Sequence, residues 1–132
     1  MMRDQNIASF SPVFQIGDSI VANTVAKVIR SENPKYNEGA LVVAHTPVAE
    51  YARLSSHSRP TARQIRNPSE LDLGHFLGML GMPGLTAFSS LYRIGKPKRG
   101  ETIFVSSAAG AVGQVVGQIA KREGLEVIGS VG

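Results

Sequence analysis

Three glycines and a run of small side chains are the part of this sequence best suited to chemistry. Ser106-Ser107-Ala108-Ala109-Gly110-Ala111-Val112-Gly113 follows a short apolar run and precedes a helical stripe, with Gly117 one turn further on. A phosphate is held best by backbone N–H groups at a helix N-terminus, where larger side chains would block its approach. Gly110 suits the tight turn and the close approach. Gly113 keeps the new helix near the strand or the pyrophosphate, and Gly117 or Ala120 lets that helix lie against a sheet. The turn is G-x-x-G and not the full G-x-G-x-x-G, so taken alone it is equally a packing device. The strand before it, the helix after it and a second strand beyond point to dinucleotide binding. NAD sites place an acid about 20 residues past the glycines to hold the ribose 2′-hydroxyl. Here that position is Ser130, within Gly129-Ser130-Val131-Gly132. A small hydroxyl residue leaves room for a 2′-phosphate, which favours NADP(H).

Other candidate groups read more plainly. His45, His57 and His75 have no ligand partners at metal spacing, and cysteine is absent. No metal site is expected, and the histidines belong on the surface or in loops. Tyr51 and Tyr92 are assigned to core or rim packing, and Met79 fills a gap beside an apolar run. No Ser-His-Asp order, carboxylate pair or Walker-type lysine occurs, so no catalytic residue is assigned. Lys96, Lys98 and Arg99 form one basic group and Arg59, Arg63 and Arg66 another. Both read as solvated charge. With five Phe, three Tyr and no Trp, the chain lacks the interleaved aromatics of a nucleic-acid surface.

The elements that must position the glycine turn follow from periodicity. Thr102-Ile103-Phe104-Val105 is a short apolar strand. Val112, Val115, Val116, Ile119 and Ala120 fall at i, i+3, i+4, i+7 and i+8, one helical face. Lys121 and Arg122 favour the negative end of that helix, Gly124 caps it, and Val127-Ile128 resumes an extended run. Residues 101–131 thus form one β-α-β unit. Upstream, 71–80 reads as a short glycine-loosened helix. Pro83-Gly84 opens a second helix with Leu85, Phe88, Leu91 and Tyr92 on one face and Gly95 as its cap. Residues 55–70 read as a linker. The first half is a small antiparallel β segment: residues 14–31 as one bent strand or two short ones, a turn at 32–39 built on Pro34 and Gly39, then short strands at 41–44 and 48–52.

The chain has 132 residues, 42% of them apolar and 18% charged, with a net charge of +4. That balance is globular and not disordered. Without cysteine, disulfide scaffolds and thiolate zinc sites are excluded. No apolar run approaches the roughly 18 residues of a membrane span, and the first residues lack a secretory signal core. A cytoplasmic protein without a membrane partner is expected.

Leu80-Gly81-Met82-Pro83-Gly84-Leu85-Thr86-Ala87-Phe88, followed in order by Gly110-Ala111-Val112-Gly113 and Gly129-Ser130-Val131-Gly132, resembles the zinc-independent medium-chain dehydrogenase/reductase superfamily. Within it the chain is most similar to NADP-dependent alkenal and enone double-bond reductases, which include the prostaglandin reductases. Met2-Arg3 and Val25-Ala26-Lys27-Val28 extend the resemblance over nearly the whole chain. It implies an α/β fold: a partial GroES-like β segment and linker at 1–70, then the start of an NADP-binding Rossmann domain at 71–132. It also implies that Thr86 contacts the cofactor, that Met82 approaches the nicotinamide, and that Gly110, Ala111, Val112 and Gly113 cradle the pyrophosphate. The reaction implied is hydride transfer to the C=C of an α,β-unsaturated carbonyl in small-molecule metabolism. Family chains are more than twice this length, so the resemblance implies a piece truncated at both ends. The lysine for the 2′-phosphate, the remaining strands and the proton donor are not among its residues. The alternative is a truncated, non-catalytic fragment that at most binds nucleotide or a partner chain, pairing of two copies included.

Overall fold

Leu41-Val42-Val43-Ala44-His45-Thr46-Pro47 alternates small apolar with bulkier or polar side chains, as a half-buried strand does. In the computed structural model, which describes residues 15–55 and 62–131, it is β2 (Leu41–Pro47), the central strand of a three-stranded antiparallel sheet. Val42, Ala44 and Thr46 are buried on one face. β1 (Val21–Lys27) lies on one side with Thr24 opposite Ala44 and Ala22 opposite Thr46. β3 (Arg63–Ile65) lies on the other, with Ile65 opposite Leu41. The Thr24 and Thr46 hydroxyls are 2.8 Å apart, and Thr46 also donates to the Pro47 carbonyl, so this buried polar residue is satisfied. The turn from β1 to β2 behaves as its composition requires. The Asn33 carboxamide accepts from the Lys35 N–H, and Gly39 takes a left-handed φ of +84°. Met2-Arg3, Phe14, His57, Arg59 and Gly132 lie outside the described residues.

Three upstream expectations are corrected. Strand β1 starts only at Val21. Residues 48–52 bend away and are not a strand; beyond Val48, whose N–H reaches the Ile20 carbonyl, they have no neighbouring strand to pair with among the described residues. The region taken as linker contains β3, because an open edge of β2 and the burial of Ala62 and Ile65 draw three residues into extended pairing. No alternation in Arg63-Gln64-Ile65 announces it.

The chain divides into two compact units, Met1–Ile65 and Arg66–Gly132. The second opens with a single 3₁₀ turn at Leu73–Phe76, capped by the Asp72 carboxylate on the Gly74 N–H, where a longer helix was expected. Three glycines within residues 74–81 make continuous helix costly, and only Phe76 of this turn is buried. α1 (Met82–Phe88) then begins with Pro83 in its first turn and continues as a π-helical turn, Ser89–Gly95. The residue that closes it is Lys96, left-handed at φ +46°, and not Gly95. Pro97 disfavours the right-handed helical conformation at the residue before it, which ends the helix at Lys96.

The β-α-β unit forms as its periodicity dictates. β4 (Thr102–Val105) and β5 (Glu126–Gly129) pair in parallel with Val105 opposite Gly129, and α2 (Gly113–Arg122) crosses between them. Leu91, Ala120 and Leu125 form the core, with Ile103, Val116, Ile119 and Val127 packed against it. The helix ends in a Schellman motif: the Leu125 N–H reaches the Ala120 carbonyl, the Gly124 N–H reaches the Lys121 carbonyl, and Gly124 has φ +83°. Ala120 makes the close helix–sheet contact; a Cβ at Gly117 would meet only Val127 Cγ1, at 3.8 Å. Of the face expected on α1, Leu91 is buried, but Leu85 and Phe88 are exposed.

Candidate functional site

Between Val105 and Gly113 the chain reverses over eight residues, and the turn is built on the dipeptide Ser107-Ala108. Ser107 has φ +50°, a left-handed conformation that costs about 1–2 kcal/mol for a residue with a Cβ. Its carbonyl accepts from the Gly110 N–H at 2.8 Å. A Cβ on Gly113 would overlap that carbonyl and stand 2.8 Å from Ala108 Cα. A Cβ on Gly110 would stand 3.1 Å from the same oxygen. Gly113 therefore tolerates no side chain without a shift of the backbone, while a Cβ at Gly110 would be a tight contact. The left-handed residue of the turn is Ser107, a position where glycine is the usual occupant. Strain of this kind concentrates at binding sites, where the surrounding structure holds it.

The turn delivers the chain into α2 with no side-chain cap, since Val112 at the N-cap has no oxygen to offer. The N–H groups of Ala111, Val112 and Gly113 find no acceptor among the described residues, and Ala109, Gly110 and Ala111 are exposed. Thr102 to Ala120 contains no ionisable side chain. The positive potential here is that of the backbone dipoles alone, about half an elementary charge at the helix start. This arrangement can hold an anion by N–H donation, and the turn itself carries no ionisable side chain; the nearest in the groove it lines is Glu101.

Ser130 lies beside the turn. Its N–H donates to the Val105 carbonyl at 3.0 Å, and its own carbonyl accepts from the Ala108 N–H at 2.8 Å. Val112 and Gly113, with Ser106, line an open groove of about 460 Å³ that continues along Ile103 and Pro97. Gly110 and Ala111 form the tip of the turn, outside the groove lining. Thr86 and Met82 sit on α1, also outside it. Thr86 Oγ1 donates to the Met82 carbonyl at 2.9 Å, so its proton is engaged and its hydroxyl oxygen is what it can offer a ligand, as an acceptor. Met82 is exposed. A second, apolar groove of about 410 Å³ runs between α1 and α2 past Met79, Leu85, Phe88, Val115 and Ile119.

His45 and His75 are exposed, and Nδ1 of His45 faces the Asn23 carboxamide across the strands at 3.3 Å. Among the described residues no three acids or histidines gather at a point. Tyr51 is exposed. Tyr92 packs against Phe88 with ring centroids 4.6 Å apart and the planes tilted by 45°, and donates its hydroxyl to Glu123 at 2.7 Å. That bond to a carboxylate, with some desolvation, holds the phenol above its ordinary pKa. It ties the π-helical turn to the end of α2. Sequence reasoning missed two features, the left-handed Ser107 and a tight approach of Gly129 to Ala108, where a Cβ would stand 2.7 Å from Ala108 Cβ. No local signal marks either one.

The chain is similar to several known proteins. Residues 1–61 match the family described as the N-terminal domain of oxidoreductase. The chain is 54% identical over 131 residues to NADP-dependent oxidoreductase RED1 of Cochliobolus heterostrophus, covering 99% of this chain and 37% of that one. It is 42% identical over 127 residues to the 2-alkenal reductase (NADP(+)-dependent) of Nicotiana tabacum, covering 96% and 35%. Among solved structures it resembles CurA from Vibrio vulnificus in complex with NADPH, with a TM-score of 0.76 and 36% identity over 95% of this chain and 36% of that one. The chain thus spans little more than a third of the length of the curated relatives it matches.

Proposed function

We propose that this chain, which is similar over most of its length to NADP-dependent oxidoreductase RED1 and to CurA in complex with NADPH, is a segment of an NADP-dependent oxidoreductase of the medium-chain dehydrogenase/reductase family, binds NADP(H) at the 106–113 turn and serves the reduction of an α,β-unsaturated carbonyl. The observation that carries the reading is the cradle at Gly113, where a Cβ would fill the space against Ser107 and Ala108 and displace the turn. In this reading the N–H groups of Ala111, Val112 and Gly113 hold the pyrophosphate. Thr86 on α1 contacts the cofactor, and Met82 approaches it on the nicotinamide side. The absence of an acid at Ser130 leaves room for the 2′-phosphate. When bound, the cofactor supplies the hydride that adds to the β-carbon of the substrate. The chain's own contribution is position and backbone electrostatics, since its turn carries no proton donor. Residues 1–70 are read as a GroES-like segment with its linker and 71–132 as the start of the nucleotide-binding domain. No described helix is long and apolar enough to cross a membrane, and a cytoplasmic reductase acting on a small molecule is the corresponding whole.

A second reading keeps the nucleotide and drops the turnover: a binding segment that acts only with a partner chain or a second copy. It rests on Phe104 and Ile128, paired across the strands and 67% and 57% exposed on the face of the sheet away from α2. Titrating the purified chain with NADPH and NADH by fluorescence or calorimetry tests both readings. Saturable binding, with NADPH no weaker than NADH, is expected. Its absence at millimolar cofactor overturns nucleotide binding by this chain. Adding an alkenal separates the two readings, because only the first consumes NADPH.

A further inference from the structure

The three glycines nearest the turn crowd one dipeptide from three directions. Gly110 and Gly113 approach the Ser107 carbonyl from inside the turn. Gly129 approaches from a different element, the last position of β5, where its missing Cβ would stand 2.7 Å from Ala108 Cβ. Real Cβ contacts begin well beyond that distance, so Ala108 occupies its place only because position 129 has no side chain. Hydrogen bonds run the same way. Ser130 donates to Val105, and Ala108 donates to the Ser130 carbonyl, so the β4–β5 ladder continues past the strands and takes hold of the turn.

We infer that Gly129 and the Ser130 carbonyl are positioning groups for the phosphate turn: they set the place of Ala108, and through Ser107 the aim of the free N–H groups at the start of α2. The inference rests on the cofactor reading above and extends it to residues that need not touch the cofactor. The small residue at the end of β5 is then required for holding pyrophosphate, even though its own position belongs to the second strand. Ser130, beside the expected 2′-phosphate, is joined by its backbone to the turn that holds the other phosphates. A ligand that orders one end of this segment therefore orders the other.

The test is a rescue. Gly129→Ala places a methyl group against Ala108, and Ala108→Gly removes the group it strikes. Gly129→Ala is expected to weaken NADPH binding by about tenfold or more, the range that overpacking strain of this kind produces. It is also expected to speed amide exchange at Ala108, whose N–H is held by Ser130. The double variant recovers both, to within about threefold of the parent. Unchanged affinity and exchange in Gly129→Ala, or a double variant as impaired as the single one, overturns the inference. If Gly129→Ala fails to fold, a folded and binding double variant supports the clash with Ala108, and an unfolded one refutes it. If the parent itself does not bind NADPH, the cofactor reading falls, while amide exchange across the same variants still decides the clamp.

Discussion

Replacing Gly113 by alanine perturbs the turn at its most crowded point. The new Cβ would overlap the Ser107 carbonyl oxygen and lie 2.8 Å from Ala108 Cα and 3.0 Å from the Ser107 carbonyl carbon. All three are backbone atoms, so no side-chain rotation relieves the contact. Ala108 must retreat by roughly 0.6 Å to reach ordinary contact at 3.4 Å, and the carbonyl must retreat further. Forcing a methyl group into a filled site costs about 1–3 kcal/mol of stability. The same shift moves Ser107-Ala108 away from the N–H groups at the start of α2. Loss of one charge-assisted N–H bond to a phosphate, worth about 1.5–3 kcal/mol, lowers affinity by about 10- to 150-fold. The assay is NADPH titration beside a thermal melt, at a temperature where both proteins are folded. Gly117→Ala is the control: its Cβ meets only Val127 Cγ1 at 3.8 Å, and it gains about 0.8 kcal/mol of helix propensity with binding unchanged. A Gly113→Ala protein that binds NADPH within about twofold of the parent would refute the reasoning. So would equal damage from Gly117→Ala.

Three further outcomes are expected. Gly124→Ala forces a Cβ into a left-handed position at φ +83° and against the Arg99 side chain at 3.0 Å, so its melt falls by the equivalent of about 1–2 kcal/mol. Tyr92 titrates late because its protonated form donates to Glu123. With the folded pKa raised, the stability this bond contributes is full below the ordinary tyrosine pKa of about 10 and is lost as pH rises through the folded value. An ultraviolet titration should show one late phenol that disappears in Tyr92→Phe and moves down in Glu123→Gln. Thr46→Val removes a buried hydroxyl bonded to Thr24 and Pro47, costing about 1 kcal/mol in chemical denaturation, and Thr24→Val in the same background should cost less than it does alone.

How much was legible differs sharply along the chain. The stripe from Val112 to Ala120, the basic last turn and Gly124 are local signals with local causes, and α2 with its Schellman ending follows from them. The same holds for β4 and for the Asn33–Gly39 turn. Strand β3 has no such signal, because Arg63-Gln64-Ile65 is extended only where the edge of β2 accepts it. The π-helical turn and the left-handed Lys96 were equally illegible, since the glycine beside Lys96 is the residue that composition favours for a cap. Leu85 and Phe88 keep the spacing of a buried face, but only Leu91 of that face meets the core that α2 and Leu125 provide.

By itself the sequence determined that a strand, a glycine-rich turn, an amphipathic helix and a second strand succeed one another, because each depends on side chains within a few residues of one another. It also determined that no ionisable side chain occurs from Thr102 to Ala120, a matter of composition alone. Which glycines the turn cannot spare was decided only in three dimensions. Gly110, Gly113, Gly117 and Gly129 look alike in a sequence, yet their missing Cβ atoms face, in turn, a carbonyl at 3.1 Å, an overlapping backbone, a methyl at 3.8 Å and a methyl at 2.7 Å. That difference arises because the parallel pairing of β4 with β5 brings the end of one strand against the turn that follows the other. No local rule encodes contact between residues 21 positions apart.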